Sequence, residues 1–264
     1  MIRCLAEAKR SPQPILDQIR PGEVPVDPAQ PLSGQVALVT GASRGIGLAI
    51  AGRLGRLQAR VAICARNVRA LEGAAEQLRR AGVETLGVPA DVTRPGDVAA
   101  LVERTRKTFG PIDILVNNAG IGVFGPVHET SEANWDAVLD TNLKGAFLAS
   151  RAVAPEMIQR RTGHIINISS LAGKNAFAGG GVYCASKWGL QGLTYCMAED
   201  LRAYGIRVSV ICPGTVATEF SPHTGKDVAK MLEAEDVAHV VAALVTQSAQ
   251  SFISEVLIRP TQKP

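Results

Sequence analysis

Short apolar runs alternate with amphipathic stretches along the chain from Gln35 onward, and this alternation constrains the fold more than any other feature. The runs are continuous rather than alternating, which is typical of parallel strands covered on both faces. They occupy residues 36–39, 61–64, 112–116, 165–168, 208–211 and 256–258. Helices are predicted between them, near 45–57, 68–81, 95–109, 131–159, 181–204 and 235–246. Repeated strand–helix units predict an α/β fold, a doubly wound parallel sheet with helices on both faces.

The first 33 residues differ from the rest of the chain. Prolines punctuate this segment, at Pro12, Pro14, Pro21, Pro25, Pro28 and Pro31. Such a segment can bury little apolar surface, so we expect 1–33 to be a poorly ordered extension. The chain has 264 residues, of which 46% are hydrophobic, which suits one large domain better than two. We therefore assign 34–264 to a single domain.

Composition excludes several classes of function. The formal charge is +4, from 28 basic and 24 acidic residues spread along the chain, which does not favour nucleic acid as a partner. The five cysteines form no C-x-x-C pair and the four histidines are scattered, so neither a metal site nor a disulfide framework is predicted. No apolar run reaches the length of about 18 residues that spans a bilayer, so we expect no membrane contact and a cytoplasmic protein.

A glycine-rich turn follows the first predicted strand directly. Residues 40–47 read TGASRGIG and lead into a helix, so the backbone can turn tightly and approach a pyrophosphate closely. Exposed amide groups and the positive helix end then hold the phosphates. Glycine triplets also occur in purely structural turns, but the flanking strand and helix favour a dinucleotide site. The predicted cofactor contacts here are Gly41, Ser43, Arg44, Gly45, Ile46 and Gly47.

The end of the second strand predicts which dinucleotide binds. An acidic residue there would bond the ribose 2′-hydroxyl and repel a 2′-phosphate. The segment 64–67 reads CARN and has no carboxylate. Arg66, with Asn67 beside it, and Arg44 from the glycine turn could clamp a phosphate, although both arginines could equally be solvated surface residues. The sequence therefore favours NADP(H).

Five separated motifs together resemble the classical short-chain dehydrogenase/reductase family. They are TGxxxGxG at 40–47, NNAG at 117–120, Ser170, the Tyr183-x-x-x-Lys187 pair thirteen residues later, and Pro213-Gly214. The resemblance covers about residues 34–260 and leaves out the proline-rich extension. It implies a Rossmann fold and an NADPH-dependent enzyme, similar to 3-oxoacyl-carrier-protein reductases, that reduces a ketone or 3-oxoacyl group to an alcohol.

Tyr183 and Lys187 are the predicted centre of the chemistry. They stand four residues apart in a helical pattern, hence on one face of one helix. A phenol has an ordinary pKa of about 10, and a nearby ammonium and an oxidised nicotinamide would favour its ionised form. Tyr183 would protonate the carbonyl oxygen during reduction, and Ser170 would hydrogen-bond the developing oxyanion.

The resemblance assigns further residues one by one. It favours Ser170 over Ser169 and implies that Lys187 also bonds the nicotinamide ribose. Asn142 would complete a catalytic tetrad by holding a water in a proton relay to Lys187, although a polar residue facing solvent is the alternative. The remaining implied cofactor contacts are Asp91 and Val92, which would close the third strand, then Asn118, Ala119, Gly120, Pro213, Gly214, Val216 and Thr218. An Asp at a strand end is also a common turn or cap residue.

The substrate side is less specific in the sequence. Three loops, 121–126, 171–181 and 219–235, offer an apolar lining suited to a medium-sized ketone, with the candidates Val123, Phe124, Leu171, Phe177, Phe220 and Met231. Two other functions remain open: an alcohol or sugar dehydrogenase of the same family acting oxidatively, and a cofactor sensor without turnover. The helices near 131–159 and 181–204 resemble those that pair in homodimers and homotetramers, with Phe147, Leu190, Leu193 and Met197 available.

Overall fold

A computed structural model describes residues 31–220, 227–248 and 250–264. Seven parallel strands form one sheet in the order β3-β2-β1-β4-β5-β6-β7. Their bounds are β1 Val36–Thr40, β2 Arg60–Ala65, β3 Thr85–Pro89, β4 Ile114–Asn117, β5 Gly163–Ile168, β6 Ile206–Pro213 and β7 Glu255–Ile258. The chain order reverses between β1 and β4, so the loops after these two strands diverge and open a crevice at their carboxyl ends.

Helices cover both faces of this sheet. Their bounds are α1 Gly45–Arg56, α2 Val68–Arg80, α3 Pro95–Phe109, α4 Glu132–Leu139, α5 Gly145–Arg160, α6 Gly181–Arg202 and α7 Ala234–Val245. Alternate side chains of each strand enter two apolar cores. Val39 and Ile63 pack toward α1, α2 and α7, whereas Leu38 and Leu115 pack toward α3, α5 and α6. The predicted doubly wound Rossmann fold is therefore confirmed.

Two elements differ from the sequence-based expectation. The apolar runs do not include β3, because Gly87 and Pro89 interrupt it and its position at the edge of the sheet requires less burial. Asp91 follows the end of β3 by two residues instead of closing the strand. The single helix expected over 131–159 is divided into α4 and α5 by a π-helical turn at Asp140–Lys144.

The amino-terminal boundary also lies earlier than predicted. Leu32, assigned to the extension, is fully buried in the core beside α1. Its amide donates to the carbonyl of Leu57 at 3.0 Å, and its own carbonyl accepts from Gln35 at 3.0 Å. The core therefore begins by Leu32. Residues 1–30 of the predicted extension lie outside the described residues, so the poor order expected there stays a prediction. Within the described ranges, no helix combines the length and the apolar character needed to cross a membrane.

Candidate active site

The turn between β1 and α1 leaves no room for side chains at two glycines. A Cβ on Gly41, whose φ is +64°, would lie 2.6 Å from Ala119 Cα, and one on Gly47 would lie 2.6 Å from the Gly41 carbonyl oxygen. In the described part of the chain, α1 has no side-chain cap and no acidic residue in its first turn. The amides at its start are therefore available to an anion such as a pyrophosphate.

Asn118 fastens this turn to the end of β4. Its side-chain amide donates to the carbonyl oxygens of Thr40 and Gly41, both at 3.0 Å. The Thr40 hydroxyl accepts in return from the amides of Asn118 and Ala119, at 3.0 and 3.1 Å. Two separated motifs of the sequence thus form one rigid floor at the carboxyl edge of the sheet.

A cavity of about 680 Å³ opens above this floor. Most of the predicted cofactor contacts line it: Gly41, Ser43, Arg44, Gly45, Ile46, Arg66, Asn67, Asp91, Val92, Asn118, Ala119, Gly120, Tyr183, Lys187 and Thr218. Gly47 is not among the lining residues, and it permits close packing, since a Cβ there would overlap the Asn118 side chain. Pro213, Gly214 and Val216 line a neighbouring cavity, which shares Thr218 with the first. The size of the first cavity and its uncapped helix start fit a dinucleotide.

Polar and charged side chains at this cavity have partners within the protein that the sequence does not predict. The Arg44 guanidinium forms an exposed ion pair with Glu219, from the segment after β6. Asn67 caps α2, because its side chain accepts from the amide of Ala70. Asp91 accepts from the amide and hydroxyl of Thr93 at 3.0 and 2.8 Å, so it also serves as a turn residue. Partial burial raises the pKa of Asp91, but those two hydrogen bonds and the charges of Arg66 and Arg94 outweigh it. The pKa of Asp91 is therefore below its ordinary value.

Tyr183 lies where the two cavities meet, and it lines both of them. Its side chain is buried, and burial raises the pKa of Tyr183 to about 12 despite a hydrogen bond with Ser170 that lowers it. The sequence suggests a lowered value, but among the protein's own groups burial has the larger effect. The phenol therefore keeps its proton at neutral pH.

Lys187 lies one helical turn after Tyr183 on α6 and is almost fully buried. Its ammonium donates to the carbonyl oxygen of Ile168 at 2.9 Å and lies 5.8 Å from the centroid of the Tyr183 ring. Burial lowers the pKa of Lys187 to about 8. The group is thus cationic at neutral pH but close to its titration range.

The two serines after β5 have different partners. Ser170 lines the second cavity, and its hydroxyl accepts from the amide of Ala172 at 3.1 Å. Ser169 is buried, its amide donates to the carbonyl of Ile211 at 2.7 Å, and its hydroxyl donates to the carbonyl of Lys187 at 3.3 Å. Ser169 therefore joins β5, β6 and α6 and also borders both cavities, whereas Ser170 borders the second cavity beside Tyr183.

Asn142 lies in the π-helical turn, a feature often found at functional sites. Its side-chain oxygen accepts from the amide of Ile121 at 2.8 Å. Its side-chain nitrogen donates to the Ile121 carbonyl at 2.9 Å and to the Ser186 hydroxyl at 3.0 Å. Asn142 is 1% exposed, so the solvent-facing alternative is wrong. It ties the wall of the cofactor cavity to the residue that precedes Lys187.

The second cavity measures about 790 Å³ and opens beside Ser170 and Tyr183. Four of the six predicted substrate candidates line it: Phe124, Leu171, Phe177 and Phe220. Met231 is buried near another cavity, and Val123 is not among the lining residues. Sequence reasoning missed the carboxyl-terminal segment 259–264, which follows β7 and lines this cavity. No local motif marks that segment, so its role depends on tertiary placement. Residues 221–226 of the third predicted loop lie outside the described residues.

The chain is similar to known proteins in both sequence and structure. The family model described as short chain dehydrogenase matches residues 35–229. The crystal structure of a metagenomic short-chain oxidoreductase in complex with NADP superposes with a TM-score of 0.78. It is 49% identical in sequence, over 88% of this chain and 99% of the other.

Two curated proteins extend the comparison. A putative ketoacyl reductase of Streptomyces coelicolor is 43% identical over 186 residues, which are 70% of this chain and 71% of that protein. The glycine betaine reductase ATRR of Emericella nidulans is 36% identical over 256 residues. That match covers 93% of this chain but spans only 20% of the length of the fungal protein.

Proposed function

The chain belongs to the short-chain dehydrogenase family of oxidoreductases, and we propose that it reduces a ketone or 3-oxoacyl carbonyl to an alcohol with NADPH. One observation carries the proposal. The Tyr183 phenol borders both cavities, so a group bound in either cavity can lie beside it. This is the arrangement that carbonyl reduction requires, because the proton donor and the hydride donor must reach the same carbonyl group.

The cofactor assignment depends on the first cavity. The uncapped start of α1 suits the pyrophosphate, and the cations of Arg44 and Arg66 suit a 2′-phosphate. The related metagenomic oxidoreductase was crystallised with NADP, which supports NADP(H) for this chain. When bound, the reduced cofactor supplies the hydride. The residues of this chain supply the binding site and the proton.

Tyr183 is the proposed general acid. Its pKa of about 12 keeps the phenol protonated, and the nearby Lys187 ammonium would stabilise the phenolate that remains after proton transfer. The Ser170 hydroxyl faces the same space and would donate a hydrogen bond to the carbonyl oxygen as charge develops there. Asn142 is a positioning residue, since its amide is bonded to Ile121 and Ser186 rather than directed into a cavity.

The carbonyl class is inferred from the second cavity. Its lining is mostly apolar, and among the described residues no Asp or Glu contributes to it. A putative ketoacyl reductase among the relatives is consistent with a ketone or 3-oxoacyl substrate. A volume of about 790 Å³ lies within the range of small-molecule sites.

The test is the oxidation of NADPH, followed by absorbance, with a panel of ketones, 3-oxoacyl thioesters, quinones and keto sugars. We expect Tyr183→Phe to lose at least about a hundredfold in kcat/KM with every active substrate, because the proton donor is removed. Tyr204→Phe is the matched control, since Tyr204 is exposed just beyond α6. Full turnover by Tyr183→Phe would refute the assignment.

We also propose that the chain forms a homodimer or homotetramer through α4, α5 and α6. Trp135, Phe147 and Trp188 on these helices expose large aromatic surfaces, which a second copy would cover. Leu190, by contrast, is buried within the domain, and Met197 packs against the core, so these two are not part of that surface. Light scattering after gel filtration, with Phe147→Glu as the disrupting variant, tests this assembly.

A further inference from the structure

Three of the six phenylalanines of the chain line the cavity beside Tyr183, and two of them contact its ring. Phe124 comes from the loop after β4, Phe177 from the loop between β5 and α6, and Phe220 from the segment after β6. The Tyr183 ring centroid lies 5.5 Å from that of Phe124 and 5.7 Å from that of Phe220, and Phe124 lies 6.2 Å from Phe177. Two loops thus bring a phenyl ring against Tyr183, and the third ring, Phe177, extends the group through Phe124.

These rings are open to the second cavity, the proposed substrate site, rather than packed into the core. Phe124, Phe177 and Phe220 are 41%, 49% and 41% exposed, and all three line the cavity. Phenyl surface left in water is unfavourable, because the burial of apolar area contributes favourable free energy. Clustered aromatic surface in a concave site is typical of a ligand-binding wall.

The backbone beside the rings is shaped to admit them. A Cβ on Gly122 would lie 2.8 Å from atoms of the Phe124 ring and 3.2 Å from the Phe220 ring. A Cβ on Gly180 would lie 2.5 Å from the Phe177 ring. At both positions a larger residue would displace a ring from its present place. The glycines therefore help to fix the aromatic wall.

Aromatic walls distinguish aromatic ligands from aliphatic ones of similar size. Phenyl rings gain additional free energy from offset or edge-to-face contacts at centroid distances of about 4.5–7 Å, beyond the burial of area. The three phenylalanines line the same cavity as Tyr183, and two of them contact its ring, so a group packed against them lies close to the reacting carbonyl.

We propose that the substrate is a ketone that carries an aromatic ring a few bonds from its carbonyl, and that this ring packs against Phe124, Phe177 and Phe220. This inference rests on the proposed function, since it names the substrate class of the same site. The neighbouring Leu171 contributes apolar area without selecting for aromaticity. The selection is assigned to the three rings.

The test compares benzylacetone with its cyclohexyl counterpart, in which the phenyl ring is saturated. In both ketones a two-carbon chain separates the ring from the carbonyl, so the carbonyl groups have similar intrinsic reactivity. We expect kcat/KM for benzylacetone to be about tenfold higher in the unmodified protein. Phe177→Leu and Phe220→Leu should each reduce that ratio about threefold or more, because Leu keeps apolar volume but removes the ring. Tyr204→Leu, outside both cavities, should leave the ratio unchanged.

A binding measurement separates this inference from the proposed function. Tyr183→Phe keeps the central ring and removes the phenol, so calorimetry on its NADPH complex gives the affinity for both ketones without turnover. A higher affinity for benzylacetone supports the inference, and equal affinities overturn it, also where Phe177→Leu or Phe220→Leu folds poorly. A ratio that survives Phe177→Leu and Phe220→Leu also overturns it. If none of the ketones supports NADPH oxidation by the unmodified protein, the proposed function fails instead. The ratio of the two affinities still decides the aromatic preference.

Discussion

The Lys187 ammonium donates a 2.9 Å hydrogen bond to the carbonyl oxygen of Ile168, the last residue of β5. This bond ties α6 to the strand end that leads into Ser170. The same contact holds a cation in an environment that disfavours charge, since burial lowers the pKa of Lys187 to about 8. Such a cost suggests a role in function rather than in stability.

Replacing Lys187 should separate activity from stability. We expect Lys187→Met to lose about a hundredfold or more in ketone reduction. Its free energy of unfolding at pH 7 should be unchanged or higher, because the folded-state pKa lies below the ordinary 10.5 and charging the buried group opposes folding. Loss of the bond to Ile168 offsets this gain by about 1 kcal/mol. Urea unfolding and NADPH oxidation are the two measurements.

Lys174→Met is the contrasting control for that experiment. Although burial lowers the pKa of Lys174, hydrogen bonds with Glu255 and Tyr195 raise it above the ordinary value, so its charge favours folding. We expect Lys174→Met to lose stability. A Lys187→Met protein destabilised as much as Lys174→Met would show that Lys187 is structural.

The pH dependence of kcat/KM for ketone reduction should follow the titration of Lys187. Below pH 8 both the Tyr183 phenol and the Lys187 ammonium hold their protons, so kcat/KM should be flat there. Above about pH 8 the ammonium loses its proton and kcat/KM should fall. In Lys187→Arg the decline should move to higher pH, because a guanidinium stays charged. An identical decline in both proteins would assign it to another group.

Cofactor preference should depend on Arg66 and on the competition between Glu219 and a phosphate for Arg44. We expect Arg66→Ala to lower the ratio of NADPH to NADH affinity about tenfold, through loss of a charge-assisted contact. Arg44→Ala should also lower the ratio. Glu219→Gln should raise NADPH affinity and leave NADH affinity unchanged, since it releases Arg44 from its ion pair.

Fluorescence titration of the two cofactors measures these ratios. Arg56→Ala is the control, because Arg56 lies at the far end of α1 and pairs with Glu235. Ratios unaffected by Arg44→Ala and Arg66→Ala would make both arginines ordinary surface residues.

His164 should make the protein sensitive to acid. It is buried on β5, its Nε2 lies 2.9 Å from the Ser209 hydroxyl, and burial followed by the Arg207 charge lowers the pKa of His164 to about 3. Between pH 6.5 and 3 the unfolded chain binds a proton at this residue and the folded protein does not. Stability is therefore lost as pH falls through that range, by up to about 1.4 kcal/mol per pH unit.

Replacing His164 by Leu should flatten this part of the pH–stability curve. Chemical unfolding at several pH values between 4 and 7 gives the slope for each protein. His128→Leu, at an exposed position, should keep the slope of the unmodified protein. If His164→Leu kept it as well, other groups would account for the acid sensitivity.

The local sequence is sufficient to predict much of the fold and several residues of the candidate site. Continuous apolar runs predict the parallel strands, because a strand covered on both faces has no polar side to show. The Tyr183 and Lys187 pair is predicted for a similar reason, since a separation of four residues places side chains on one helical face whatever surrounds the helix. The glycine turn is likewise marked by residues that the backbone needs at those positions.

The features that the sequence does not predict depend on contacts between segments that are distant along the chain. β3 lies at the edge of the sheet, a position that its own residues do not indicate. The side chain of Asn142, in the π-helical turn, bonds to Ile121 and Ser186, which are distant in sequence. Loops from different strands also meet in three places. These are the ion pair of Arg44 with Glu219, the group of phenylalanines beside Tyr183, and the second cavity, which the carboxyl-terminal segment helps to line. Periodicity and spacing record which face of an element is buried, whereas the partner that covers that face is set by the packing of the whole chain.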